Sequence, residues 1–231
     1  MHNRLISVTQ AWAAILALIL ASTLSCGLLA FRAFHARVFE YGFFVWNLFL
    51  AWIPAIAALL FYSQARRRPT PRFALLCIGL LWFFFFPNAA YIVTDIVHLS
   101  TRPRIPFWYD MITFMAFAQT GLFLAYLSLY LMQESVRAWL GRGVCWAFTF
   151  AMLALSSFGI YLGRFLRWNS WDMLFAPMTT MRVAIGVANP WADPQPLAFS
   201  ATFFSFSLVC YLIVYSFTHL HGWTNRAPPR S

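Results

Sequence analysis

Two hundred and thirty-one residues leave room for one domain or two. Hydrophobic residues make up 62% of the chain and charged residues 10%, against roughly 45–50% and 25% in soluble domains, so there is too much apolar surface for so few charges to cover in water. Ten Gly, twelve Pro and four Cys exclude collagen, disorder and a disulfide scaffold, and what remains is a membrane protein of several spans.

The formal charge is +10, and all sixteen basic residues are Arg. A nucleic-acid partner calls for Arg clustered on a solvated face. Here the Arg residues sit in short gaps between apolar runs and read as topology signals, so no nucleic acid is expected. The absence of Lys removes Schiff-base chemistry and a Lys general base. Cys26, Cys77, Cys145 and Cys210 each fall in a different apolar run without a CxxC pattern and read as small hydrophobes.

In chain order, Arg4 precedes an apolar run over 11–31. That run exceeds the roughly 7–15 residues of a signal-peptide core and is read as an uncleaved first span. The runs at 43–62, 111–132, 144–162 and 199–218 each approach the roughly 20 residues that cross a bilayer. From Phe73 to Phe86 there are only 14 apolar residues, about 21 Å of helix. Pro87 and Asn88 follow, and apolar character then resumes as far as Leu99. The expectation is one span over 73–99, about 40 Å long and kinked at Pro87; the alternative is a half-helix followed by a re-entrant segment. Proline leaves the Phe83 carbonyl without its helical donor, a defect that membrane helices tolerate where protein or water satisfies the oxygen.

Residues 163–198 form the one long connection. Pro190, Pro194 and Pro196 forbid a continuous helix there, while 173–187 is apolar enough to lie in the interface or re-enter. No internal repeat marks a transporter. The fold expected is therefore an all-α polytopic transmembrane bundle of six spans, one membrane domain over 1–231. Arg66, Arg67, Arg68 and Arg72 form the densest basic cluster and assign their loop to the cytoplasm. Six spans then place both termini on that side.

Asn88, Tyr91, Asp95 and His98 stand three, four and three residues apart, on one helix face. Asp95 lies about 33 Å along the axis from Phe73, near the outer interface, where a carboxylate costs much less than at mid-bilayer. The fifth span delivers Arg164, Arg167, Asn169 and Asp172 to the same end, and Trp168 and Trp171 share a face with Arg164 if that helix extends. Two readings stand. One is a polar seam with belt aromatics and snorkelling Arg. The other is a site in which Asn88, Tyr91, Arg164, Arg167, Trp168, Asn169 and Asp172 bind an anion while Asp95 and His98 act as an acid/base pair.

Asp and His alone do not make a metal site, and neither metal nor cofactor is expected. Asp110, just before the fourth span, reads as an N-cap. Glu134 and Arg137 read as an i, i+3 ion pair. No GxSxG, HExxH or Walker pattern narrows the chemistry, and whether the protein is an enzyme stays open.

Three segments together resemble a bacterial family of integral membrane proteins known as domain of unknown function 1361. They are Pro87-Asn88-Ala89-Ala90-Tyr91-Ile92-Val93-Thr94-Asp95-Ile96-Val97-His98-Leu99, then Trp108-Tyr109-Asp110, then Gly163-Arg164-Phe165-Leu166-Arg167-Trp168-Asn169-Ser170-Trp171-Asp172. The likeness covers roughly residues 45–219 and leaves out the first span; the family pattern has Pro where this chain has Ala90. The resemblance implies a multi-pass protein of the bacterial inner membrane and supplies no activity. The expectation is a protein among membrane lipids whose outer-face polar site binds or processes an anionic, lipid-linked ligand. A noncatalytic assembly subunit or a small carrier is the alternative, and oligomeric state is left open.

Overall fold

The computed structural model describes residues 8–67, 71–100, 105–167, 177–189, 191 and 193–224. Among these, six helices are long and apolar enough to cross a membrane. They are α1 (Val8–Ala36), α2 (Phe43–Gln64), α3 (Arg72–Tyr91) with its 3-10 continuation (Ile92–His98), α4 (Phe107–Leu140), α5 (Arg142–Phe165) and α7 (Gln195–Thr224). Between the last two, α6 (Pro177–Val187) has 11 residues, about 16 Å and too short to cross. The chain is an all-α polytopic bundle, as its composition predicts.

Consecutive spans run antiparallel. Arg32 near the end of α1 pairs with Asp110 at the start of α4, Asn47 at the start of α2 reaches Asp95 beyond α3, and Tyr161 late in α5 packs on Phe199 early in α7. The central post is α4, the most enclosed helix, which touches α1, α2, α3, the 3-10 turn, α5 and α7.

Lipid offers no hydrophobic drive for helix association, so close packing and interhelical polar contacts hold such a bundle. Both are present. Ala51, Ala55, Ala57 and Ala58 of α2 are fully enclosed, and their small side chains let neighbouring backbones approach. Trp52 Nε1 donates to Ser22 Oγ at 3.1 Å, Trp82 Nε1 donates to Ser128 Oγ at 3.3 Å, and the hydroxyls of Ser25 and Thr120 lie 3.4 Å apart. Contacts of this kind average about 0.6 kcal/mol in membranes. Large apolar residues such as Leu20, Phe34 and Phe73 point outward, where lipid replaces water as the solvent.

The third candidate span is one continuous helical stretch from Arg72 to His98. Its α-helix passes through Pro87 and reaches Tyr91 before tightening into seven residues of 3-10 helix, well beyond the usual three or four. Two glycines bring neighbours against this stretch. A Cβ on Gly121 of α4 would fall 2.5 Å from the Ala89 carbonyl oxygen, so only glycine permits that approach. On the α5 side, a Cβ on Gly159 would sit 3.5 Å from the Pro87 ring, in ordinary contact. The irregular segment is thus clasped between α4 and α5.

Candidate functional site

The 3-10 winding decides which side chains meet. At three residues per turn, positions i and i+3 eclipse, so Asp95 and His98 stack in one row and Tyr91 and Thr94 in the next. Arg164, in the last turn of α5, enters across both rows. Its Nε donates to Thr94 Oγ1 at 2.9 Å, its Nη1 lies 3.1 Å from His98 Nε2, and its Nη2 donates to Asp95 Oδ1. The guanidinium carbon sits 4.4 Å from the centre of the Tyr91 ring, a cation–π contact. Thr94 in turn donates its hydroxyl proton to the Tyr91 carbonyl at 2.7 Å, leaving its oxygen to accept from Arg164.

The carboxylate of Asp95 is 2% exposed and uses both oxygens. Arg164 takes Oδ1, and Nδ2 of Asn47 on α2 donates to Oδ2 at 2.8 Å. Charge-assisted bonds offset the desolvation of both ions. His98 is the exposed member, with Phe43 packed edge-on at 5.1 Å. A guanidinium can only donate, so His98 accepts at Nε2 and carries its proton on Nδ1. Four elements, α2, α3, the 3-10 turn and α5, therefore converge on one ion pair at the edge of the bundle.

Of the residues singled out from sequence, Tyr91, Asp95, His98 and Arg164 come together. Asn88 is half-buried one turn earlier in α3 and has partners of its own. Arg167 is exposed just past the end of α5, with a left-handed φ of 55°. Trp168, Asn169, Trp171 and Asp172 lie outside the described residues. The helix stops at Phe165, and Leu166 and Arg167 follow outside it. Asn47 and Thr94 are members that sequence reasoning missed.

A second ionic network occupies the same end of the bundle. Arg32 of α1 grips Asp110 through two bonds, Nε to Oδ1 at 2.6 Å and Nη2 to Oδ2 at 3.1 Å, and Nη2 also reaches Glu40 at 3.1 Å. The guanidinium rests 4.5 Å from the Tyr41 ring centre, and Tyr109 donates its hydroxyl to the Leu28 carbonyl at 2.9 Å. The N-cap role expected of Asp110 is corrected here. Pro106 precedes the helix without any side-chain cap bond, and Asp110, in the first turn, turns sideways to the cation of α1. Opposite charge nearby in low dielectric outweighs a bond to a terminal amide.

At the far end, Glu134 and Arg137 form the expected i, i+3 pair at 3.1 Å. Gln133, wholly buried, accepts the Tyr211 hydroxyl proton and so joins α4 to α7. Among the described residues, no three His, Cys, Asp or Glu side chains gather to hold a metal ion.

A family model described as "Protein of unknown function (DUF1361)" matches residues 46–215. No curated protein matches the chain, and no solved structure does.

Proposed function

The chain belongs to the DUF1361 family of proteins of unknown function, and on that premise we propose that it is a bacterial inner-membrane protein that receives an anionic, lipid-linked group at its His98 end. In this reading both termini lie in the cytoplasm and the His98 end faces outward. The observation that carries it is the division of labour around Arg164. Asp95, Asn47 and Thr94 hold the guanidinium from the buried side, and the exposed contact is made by His98.

An intramembrane ion pair is costly, and in membrane proteins such groups mark function by default. Asp95 acts as a positioning residue, since both its oxygens are engaged. His98 is the replaceable ligand of Arg164. An anion arriving at the rim accepts the Nη1–H hydrogen bond that His98 now accepts, and the imidazole, once turned away, offers its own ring N–H as a second donor. Tyr91, its ring centre 4.4 Å from the guanidinium carbon, helps to fix the cation's orientation toward the incoming oxygens.

The test uses a polyprenyl phosphate as probe with the purified full chain, read by native mass spectrometry. Retention should fall at least tenfold in His98→Gln and in Arg164→Gln, with His98→Gln remaining monodisperse. Equal retention by His98→Gln and the unaltered chain removes the proposal.

A second reading draws on the same geometry. Every guanidinium nitrogen of Arg164 already has a partner within the protein, as befits an interhelical strut in a noncatalytic assembly subunit. A strut requires Asp95→Asn to reduce the amount of folded protein while His98→Gln leaves any cellular phenotype intact.

A further inference from the structure

At the end of the bundle opposite His98, a groove of about 840 Å³ opens between α2, α3 and α4. Leu75, buried, and Gly79 form its floor, Phe61 and Trp139 its walls, Leu76 and Leu80 its rim, and Arg72 its mouth. From Arg72 to Leu80 the lining runs about 12 Å along the helix axis. Its depth depends on Gly79, where a Cβ would already stand 3.4 Å from the Phe61 ring. Leu76, Leu80 and Trp139 are all exposed, so the groove faces lipid.

The mouth is cationic. Arg66 and Arg67 stand exposed just past α2, and Arg72 opens α3. Arg66 lies over the Tyr62 ring at 3.9 Å and donates to its hydroxyl. Among the described residues, the acidic side chain at this end is Glu134, and Arg137 already pairs with it. Arg72 has no ion-pair partner among the described residues.

We infer that this groove is a binding site for an anionic phospholipid, with its phosphate at Arg72 and one acyl chain along Leu75, Gly79 and Leu80. An apolar channel that faces lipid suits a hydrocarbon chain, and a soluble anion would leave it unused. Arg72, exposed and without an ion-pair partner among the described residues, favours a negative headgroup over a zwitterionic one, as basic pockets between spans do elsewhere. Trp139, in the wall, offers an indole that suits both the headgroup and the chain. The site is separate from the His98 end and does not depend on the proposal made for it.

The experiment compares phosphatidylglycerol and phosphatidylcholine with identical acyl chains, each added to the delipidated full-length protein and scored by native mass spectrometry. Phosphatidylglycerol should be retained in preference, and the preference should shrink about fivefold in Arg72→Gln, the weight of one basic residue near a charged lipid. Gly79→Leu should lower retention of both lipids by filling the groove. Unaltered selectivity in Arg72→Gln, a protein that remains monodisperse because the residue is exposed, overturns the inference. Displacement by glycerol phosphate as effectively as by the lipid overturns it too, since that would mark a site for the headgroup alone.

Discussion

Arg32 and Asp110 face each other as a two-pronged pair, with both side chains 1% exposed and their shorter bond 2.6 Å long. Asp110 falls within the stretch that matches the family, and Arg32 lies before it. The first helix is therefore held by a charge that the rest of the bundle already carries. Tyr109, the neighbour of Asp110, adds its bond to the Leu28 carbonyl, and Ser25 adds its contact with Thr120.

Removing one half of this pair leaves a buried ion. Asp110→Asn and Arg32→Ala should each cost about 3–5 kcal/mol, read as a lower unfolding temperature in detergent. The double replacement Arg32→Met with Asp110→Leu should recover most of that loss, because neither ion then remains to be desolvated. A double variant as weak as the singles would show that packing, not charge, dominates the contact.

The Asp95 network should respond unevenly. Arg164→Gln leaves a carboxylate that is 2% exposed with only Asn47 to answer it, and the expected loss is again about 3–5 kcal/mol. His98→Gln, at the exposed rim, should stay within about 1 kcal/mol. Thermal unfolding of the two variants side by side checks the contrast, and equal losses would make His98 part of the structural core.

Gly121→Ala drives a methyl group to 2.5 Å from a backbone oxygen. The backbone must shift, at about 1–3 kcal/mol, and α4 must part from the third span. Gly143→Ala is the control, since nothing lies within 4 Å of a Cβ there. It should be neutral or stabilise by up to about 1 kcal/mol through the unfolded chain. Destabilisation by both would count against close approach as the cause, since alanine is the better helix former.

The spans were legible because crossing lipid demands a fixed length of apolar helix, and each run of that length became one. The junction of Asp95 with Arg164 was legible in outline, because alternating spans deliver residues 95 and 164 to one end of the bundle. Its detail was not. A face drawn at 3.6 residues per turn joins Asn88 to Tyr91, whereas the 3-10 winding after Tyr91 brings in Thr94, and nothing in the sequence signals that change of period. Arg32 read as a loop charge, and no local pattern could couple it to a residue 78 positions away. Asn47 was hidden in the same manner, an amide inside an apolar run whose partner is 48 residues distant.

The proposed sidedness rests on the Arg66 to Arg72 cluster and can be measured directly. In a chain with its four cysteines replaced, Ser100→Cys should react with an impermeant maleimide applied to intact cells. Arg67→Cys should react only after the membrane is opened. The reverse labelling would turn the bundle over and move the His98 end to the cytoplasm.

The tight winding from Ile92 to His98 sets the height and bearing at which His98 stands. Relaxed to α-helical pitch, the same six steps would shorten by about 3 Å and unwind by about 120°. His98 would retract and swing off the guanidinium without any span tilting or sliding. The contact between His98 and Arg164 therefore hangs on the backbone bonds of about two turns.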